Sequence, residues 1–317
     1  MQGYASRYST REEASEHHGE LVVSPLGTIT KEKTDGSLKH RIIHDLKSGG
    51  SNLLVAMFER IVLPRPNDHG FDLLNLWRML QERRLEAEAK LWSLIVDFKD
   101  AFMSTGTIPE EQRFVTALGE DPESPSGYWY YVWHTLGFGG KTFPLVYARP
   151  ASFAARTGQA LLTQDRGCSQ LYVDDPAICL AGTEAWALAE GTLPLLWWLV
   201  LGLDLSWGKG HFGTGPHEWI GVAYDVASEG PTMTLPAKYL KDTVSALTPL
   251  CMPKGVVGLR TVQQALGKAA RIGYVAPDTS PFIASLWAGY RAGRQAAADN
   301  KSGTSKDKLP CRSSIRD

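Results

Sequence analysis

An α+β fold is predicted by three features of this 317-residue sequence. The segments LGTITKE and KHRIIHDL read as two strands joined by TDGS, whose Asp35-Gly36 pair is a hairpin signal. Two short apolar runs, in LWSLIVDF and in LYVDD, end in aspartates and are separated by helical patterns. From Pro236 onward the pattern turns helical. A hydrophobic fraction of 43% is ample for a core and leaves room for two or three subdomains.

Taken in order, the opening MQGYASRYSTREEASEHH is polar and is expected to be an exposed lead-in over residues 1–20. FDLLNLWRMLQERRLEAEAKL places Leu73, Leu76, Trp77 and Leu80 at helical spacing and leads into the strand LWSLIVDF. GYWYYVWHTL is an aromatic strand, followed by the loop GFGGKTFP and a helix over VYARPASFAARTGQALLTQ. LYVDD and PAICLAG form a hairpin around a pair of carboxylates, and a helix follows from Thr183 to about Val200. EWIGVAYDV reads as a strand, and three helical segments precede a polar, Ser/Lys-rich tail over 296–317 that is expected to be disordered. The run LPLLWWLVLGLDL contains Pro194, Gly202 and Asp204, is too short to span a bilayer, and is expected to be a buried helix end and turn.

A formal net charge of -1 excludes a globally basic nucleic-acid coat and leaves a local basic channel open. Cys168, Cys179, Cys251 and Cys311 show no CxxC spacing, so neither a zinc module nor a disulfide framework is indicated. The histidines form no HxxxH pattern; His17 and His18 fall in the lead-in, and His40 and His44 flank Arg41, as expected of surface residues or local hydrogen-bond partners. With no signal-peptide core, the expected setting is intracellular, cytoplasmic or nuclear, without a membrane.

The chemistry lies in the acids. LIVDFKDAF supplies Asp97 and Asp100, and LYVDD supplies Asp174 and Asp175. Adjacent ionised carboxylates at a core edge are costly unless a cation compensates them. If the two strands are neighbours, three carboxylates converge as hard oxygen ligands for Mg2+, with two ions in phosphoryl transfer.

The order of these segments resembles the reverse transcriptases, from about Ser24 to Tyr290. LYVDD is similar to the family's Tyr-X-Asp-Asp motif and VDFKDAF to its first palm motif. The resemblance implies a right-hand polymerase fold: fingers over 21–95, a palm with an antiparallel sheet over 96–230 carrying a fingers insertion around 108–134, and a helical thumb or connection over 231–295. It implies that Lys31 and Arg41 hold a triphosphate, that Asp97, Asp174 and Asp175 hold two Mg2+ ions (or Mn2+), and that Asp100, Ala101 and Gly139 contribute to the substrate site. Phe102 stands where the family excludes a ribose 2′-hydroxyl, Lys209 where it places a proton donor to pyrophosphate, and Trp219, Ile220 and Gly221 where it grips the primer.

Two positions depart from the pattern. Gly137 replaces a usual proline and Phe143 a small residue, which bears on template or nucleotide placement. The activity implied is that of a nucleotidyltransferase, a retroelement RNA-directed DNA polymerase of the gypsy-like or tyrosine-recombinase group. Its partners would be a primed RNA or DNA template and dNTPs. The alternative is a degenerated or domesticated fragment that binds nucleic acid without polymerising. An RNA-templated RNA polymerase is disfavoured by Phe102 and by YVDD in place of a glycine before the paired acids.

Overall fold

The computed structural model describes residues 3–32, 36–83, 85–227, 229–251, 256–299 and 308–310. Along the chain these form β1 (Ala5–Tyr8), α1 (Arg11–His18), β2 (Val23–Glu32), β3 (Leu38–His44), α2 (Pro66–Arg83), β4 (Lys90–Ile95), α3 (Pro109–Gln112), β5 (Thr116–Glu120) and β6 (Tyr128–Trp133). Then come α4 (Phe143–Ala160), β7 (Gly167–Tyr172), β8 (Asp175–Gly182), α5 (Glu184–Val200), β9 (His211–Gly213), β10 (His217–Trp219), β11 (Val222–Ala227) and β12 (Gly230–Thr234). α6 (Ala237–Leu247), β13 (Val256–Gly258), α7 (Leu259–Val275), α8 (Ser280–Asp299) and β14 (Lys308–Pro310) complete the α+β fold. They divide into two compact units, Met1–Pro64 with Leu94–Phe212, and Arg65–Ser93 with Gly213–Asp317; the chain passes from the second back to the first within β4.

In the first unit, one five-stranded sheet has the order β1-β6-β5-β2-β3. The β2–β3 ribbon runs from Leu26 opposite His44 to Glu32 opposite Leu38. Asp35 of the expected turn lies outside the described residues, while Gly36 adopts the left-handed φ of +78° that such a turn needs. Residues 5–18 are not the loose lead-in expected from their polarity. β1 pairs with β6, and α1 buries Ala14 against Leu21 and Val132.

A second sheet has the order β7-β8-β4-β9. Every residue of β8 after Asp175 is buried, as befits a strand covered on both faces. α4 and α5 pack beside it; fully buried Trp198 donates its Nε1–H to the Ala154 carbonyl at 3.0 Å and meets Phe98 edge-on at 5.3 Å. Burying an aromatic side chain of that size contributes roughly 2–3 kcal/mol. Thr183 caps α5, accepting from the Trp186 N–H at 3.4 Å. The apolar run at the end of α5, expected to be buried, is buried on one face only: Pro194, Trp198, Leu203 and Leu205 are buried, whereas Leu196 is 55% and Val200 77% exposed.

In the second unit, α2 begins at Pro66, earlier than its periodicity suggests, because Pro suits a first helical turn and Asp68 accepts the Arg65 N–H at 2.6 Å. It ends at Arg83, short of the expected stretch. EWIGVAYDV, a strand by its pattern but similar to the reverse transcriptases' primer-grip hairpin, is a hairpin, β10–β11, extended to a three-stranded sheet by β12. α6, α7 and α8 form the helical C-terminal part. Beyond α8 most of the tail lies outside the described residues; Lys308–Pro310 pairs with Val256–Gly258. No helix among the described residues is long and apolar enough to cross a membrane.

Candidate active site

The end of β4 lies against the tip of the β7–β8 hairpin. The Val96 N–H donates to the Pro176 carbonyl at 3.2 Å and the Phe98 N–H to the Asp174 carbonyl at 2.8 Å, so the backbone of Asp97 is clasped between two bonds to the carboxylate segment. On its other side the Ser206 N–H donates to the Asp97 carbonyl at 2.8 Å, and Phe98 bridges to Leu205. The three aspartates expected to converge are therefore neighbours along the backbone, and all three are half-buried. Among the described residues, however, no group of three His, Cys, Asp or Glu side chains stands close enough to hold a metal ion.

Both acids of the adjacent pair are shifted upward. Burial pushes Asp174 above the usual carboxylate range, opposed by a hydrogen bond from its own backbone and by the charge of Arg41. Asp175 is pushed up to about 6 by burial and then by the charge of Asp174. Tyr172 pairs directly with Asp175, so Val173 and Asp174 form a two-residue turn, and Val173 has a φ of +59°. A β-branched residue in the left-handed region costs about 1–3 kcal/mol. Among the described residues four non-glycines have positive φ; Asp100, Val173 and Ile220 of these stand in the three motifs singled out from sequence. Strain is thus concentrated where function was expected.

Basic residues of the β2–β3 ribbon share one face. Ile29 opposes Arg41 and Lys31 opposes Lys39. Opposed residues, and those two apart along a strand, share a face, so Lys31, Lys39 and Arg41 line one side. Arg41 stands with its guanidinium carbon 5.8 Å from the centre of the Phe138 ring.

Asp100 is exposed, with a φ of +49°, and opens a 3-10 turn over Ala101–Ser104 in which Ala101 is buried. Phe102 lies 5.7 Å from Phe138 and 5.2 Å from Tyr147, ring centre to ring centre. Gly139 has a φ of +124°, and a Cβ there would stand 1.9 Å from the carbonyl oxygen of His44, whose N–H donates to the Phe138 carbonyl at 2.8 Å. Gly139→Ala is accordingly expected to destabilise the protein by on the order of 3 kcal/mol, read from its denaturant midpoint; an unchanged midpoint would mean that β3 does not dock on this loop.

The bulky Phe143 is itself buried and covers Gly140, where a Cβ would meet its ring at 2.4 Å. Lys209 ends a 3-10 turn, Trp207–Lys209, that follows the segment bonded to Asp97. Trp219, Ile220 and Gly221 belong to the second unit, where Trp219 is buried and Ile220 and Gly221, with φ of +42° and +78°, form the turn of the β10–β11 hairpin.

Two histidine environments were not foreseen. His44 is buried, has no hydrogen-bond partner for either ring nitrogen, and is held down to about 4 by burial. Buried His69 and His217 meet Nε2 to Nε2 at 3.1 Å. Tyr147 was also missed; its signal was its place with Phe143, Ala151, Ala154 and Gly158 on the buried stripe of α4.

No protein-family model and no curated protein matches the chain. Among solved structures, the foamy viral protease-reverse transcriptase dRH in complex with double-stranded DNA is similar over 90% of this chain, with a TM-score of 0.52 and 14% identity. The foamy viral protease-reverse transcriptase in complex with double-stranded DNA aligns over 77% of this chain and 41% of its own, with a TM-score of 0.49 and 17% identity. This chain spans 42% of the first of these proteins. The fold is reverse-transcriptase-like.

Proposed function

We propose that the chain is a reverse transcriptase, transferring a deoxynucleoside monophosphate from a dNTP to a primer 3′-hydroxyl on an RNA or DNA template. The observation that carries this reading is the clasp of Asp97 between the backbone bonds to Asp174 and Pro176, with the charge of Arg41 felt at Asp174. The fold supports it, and so does the presence of double-stranded DNA in the similar foamy viral dRH complex.

The residues fit a divalent cation in donor chemistry. Hard carboxylate oxygens on adjacent backbone, two of them with raised proton affinity, make the environment that Mg2+ or Mn2+ relieves. Asp97, Asp174 and Asp175 would hold two such ions, which supply a more acidic primer hydroxyl and neutralise charge on the triphosphate. Lys31 and Arg41, on one face of the ribbon, hold the phosphates as a point charge and a fork of donors. Gly139 lets the backbone approach the nucleotide, Asp100 and Ala101 border the site, and the ring of Phe102 excludes a 2′-hydroxyl. Lys209 is the candidate proton donor to pyrophosphate, and Trp219, Ile220 and Gly221 contact the primer. In this reading the fingers, palm and thumb follow the boundaries at 21–95, 96–230 and 231–295, and the element is a gypsy-like or tyrosine-recombinase retrotransposon.

The test is extension of a DNA primer on an RNA template with dNTPs and Mg2+. Wild type should extend, and Asp174→Asn should lose at least about a hundredfold while keeping primer-template affinity. One observation favours the second reading, a degenerated nucleic-acid-binding fragment: the acidic side chains are not clustered at ligating distance. A folded wild type that binds primer-template and adds no nucleotide would decide for that fragment.

A further inference from the structure

Three aromatic rings from three segments meet at Phe102. Phe102 comes from the 3-10 turn after β4, Phe138 from the glycine loop, and Tyr147 from α4. Phe102 and Phe138 are half-buried, whereas Tyr147 is fully buried. The Tyr147 ring is tilted 46° to that of Phe102, with the centres 5.2 Å apart. A partly exposed ring that rests on a fully buried one takes its tilt from the interior partner, because a close-packed core yields less than a surface.

We propose that Tyr147 is a positioning residue for sugar selection: its ring fixes the depth and tilt of Phe102, and through Phe102 sets how firmly a ribose 2′-hydroxyl is excluded. This rests on the reverse-transcriptase reading above. Steric exclusion is steep, so a ring that retreats by a fraction of an ångström gives up much of its contact with the hydroxyl. Leu or Met at position 147 is apolar enough to keep the core filled but has no flat face to hold Phe102 in place.

The ring and the hydroxyl of Tyr147 are separable. The hydroxyl is buried without a hydrogen-bond partner and feels the charge of Asp174; the contact with Phe102 is made by the ring. Tyr147→Phe therefore keeps the prop, while Tyr147→Leu and Tyr147→Met remove it. Two substitutions of different shape guard against one that fails to fold, and circular dichroism and melting curves show which are folded.

The experiment measures kcat/KM for a single correct dNTP and for its rNTP on one primer-template. Tyr147→Leu and Tyr147→Met are expected to lower the dNTP/rNTP ratio by at least about tenfold, chiefly through better use of the rNTP, and Tyr147→Phe to keep it within about threefold. In a Phe102→Val background, Tyr147→Leu should change the ratio no further, since the two residues then act as one unit. Equal losses on both nucleotides would show ordinary packing and overturn the proposal, as would a ratio lost equally in Tyr147→Phe. If wild type adds neither nucleotide, the polymerase reading fails by itself. The prop is then judged from calorimetric binding of dATP against ATP: a dATP preference lost in Tyr147→Leu supports it, and one that persists, or no binding of either nucleotide, overturns it.

Discussion

Replacing Asp97 by Asn is expected to reduce single-turnover primer extension by about a thousandfold or more with primer-template binding retained, whereas Asp100→Asn is expected to stay within about tenfold of wild type. The two acids are three residues apart and would be hard to rank by spacing alone. Their surroundings rank them. Asp97 is half-buried, and its backbone is held on one side by the bonds to Asp174 and Pro176 and on the other by the Ser206 N–H. Asn preserves its shape and removes only the charge, so the loss reports on charge. Asp100 is exposed and occupies a left-handed conformation that Asn accepts equally well, so its replacement leaves the 3-10 turn and Phe102 in place. Comparable losses in both variants, or an active Asp97→Asn, would remove Asp97 from the metal-holding role.

The parts of this site that were legible in the sequence are those written over a few consecutive residues. A buried strand that stops at an acid is visible because LIVD and LYVDD concentrate apolar residues and then charge, and the neighbouring hairpin partner, PAICLAG, follows at once. α1 carried a local signal too, and it was passed over. Thr10 caps the helix by accepting the Glu13 N–H at 3.1 Å, the signal announced by Thr-x-x-Glu, while the Glu13 side chain reaches back to the Ser9 N–H at 3.1 Å. Its polarity misled because one residue, Ala14, is buried, and packing on β6 rather than composition keeps it in place. The exposed end of α5 misled in the opposite sense: an all-apolar stretch reads as core whatever covers it. Contacts between distant segments were legible only where motifs marked both partners, as with Asp97 and the Asp174-Asp175 pair. The loop glycine Gly139 meets His44 through its backbone, and Tyr147 props a phenylalanine 45 positions earlier; neither is encoded in a period or a spacing.

The second unit should lose stability in mild acid through His69 and His217, which are 148 residues apart in sequence and in direct contact. At 3.1 Å, one Nε2 must carry the proton and the other must accept it. Protonating either ring places hydrogens on both nitrogens and a charge among Trp219 and Tyr224, whose rings lie 5.0 and 4.7 Å from that of His69. Burial, and then the neighbouring His217, hold His69 down to about 3 against an ordinary 6.5. Between those values the unfolded chain binds more protons than the folded one, so this contribution is complete above pH 6.5 and shrinks as pH falls toward 3. At pH 5 the loss relative to pH 7 is roughly 2 kcal/mol. His44, held down to about 4 in the first unit, adds a slope of the same sign, so wild type alone cannot apportion the effect. The comparison is with His69→Phe/His217→Phe in urea titrations at pH 7 and pH 5: wild type should lose clearly more between the two pH values than the double variant, which keeps the contributions of His44, His18 and His211 and the opposing ones of Asp174 and Asp175. Equal losses in the two proteins would mean that the pair does not titrate with folding. Because β10 carries both His217 and Trp219, a confirmed difference also predicts that acid loosens the β10–β11 hairpin first, seen as earlier amide exchange at Ile220 and Gly221 than in α7.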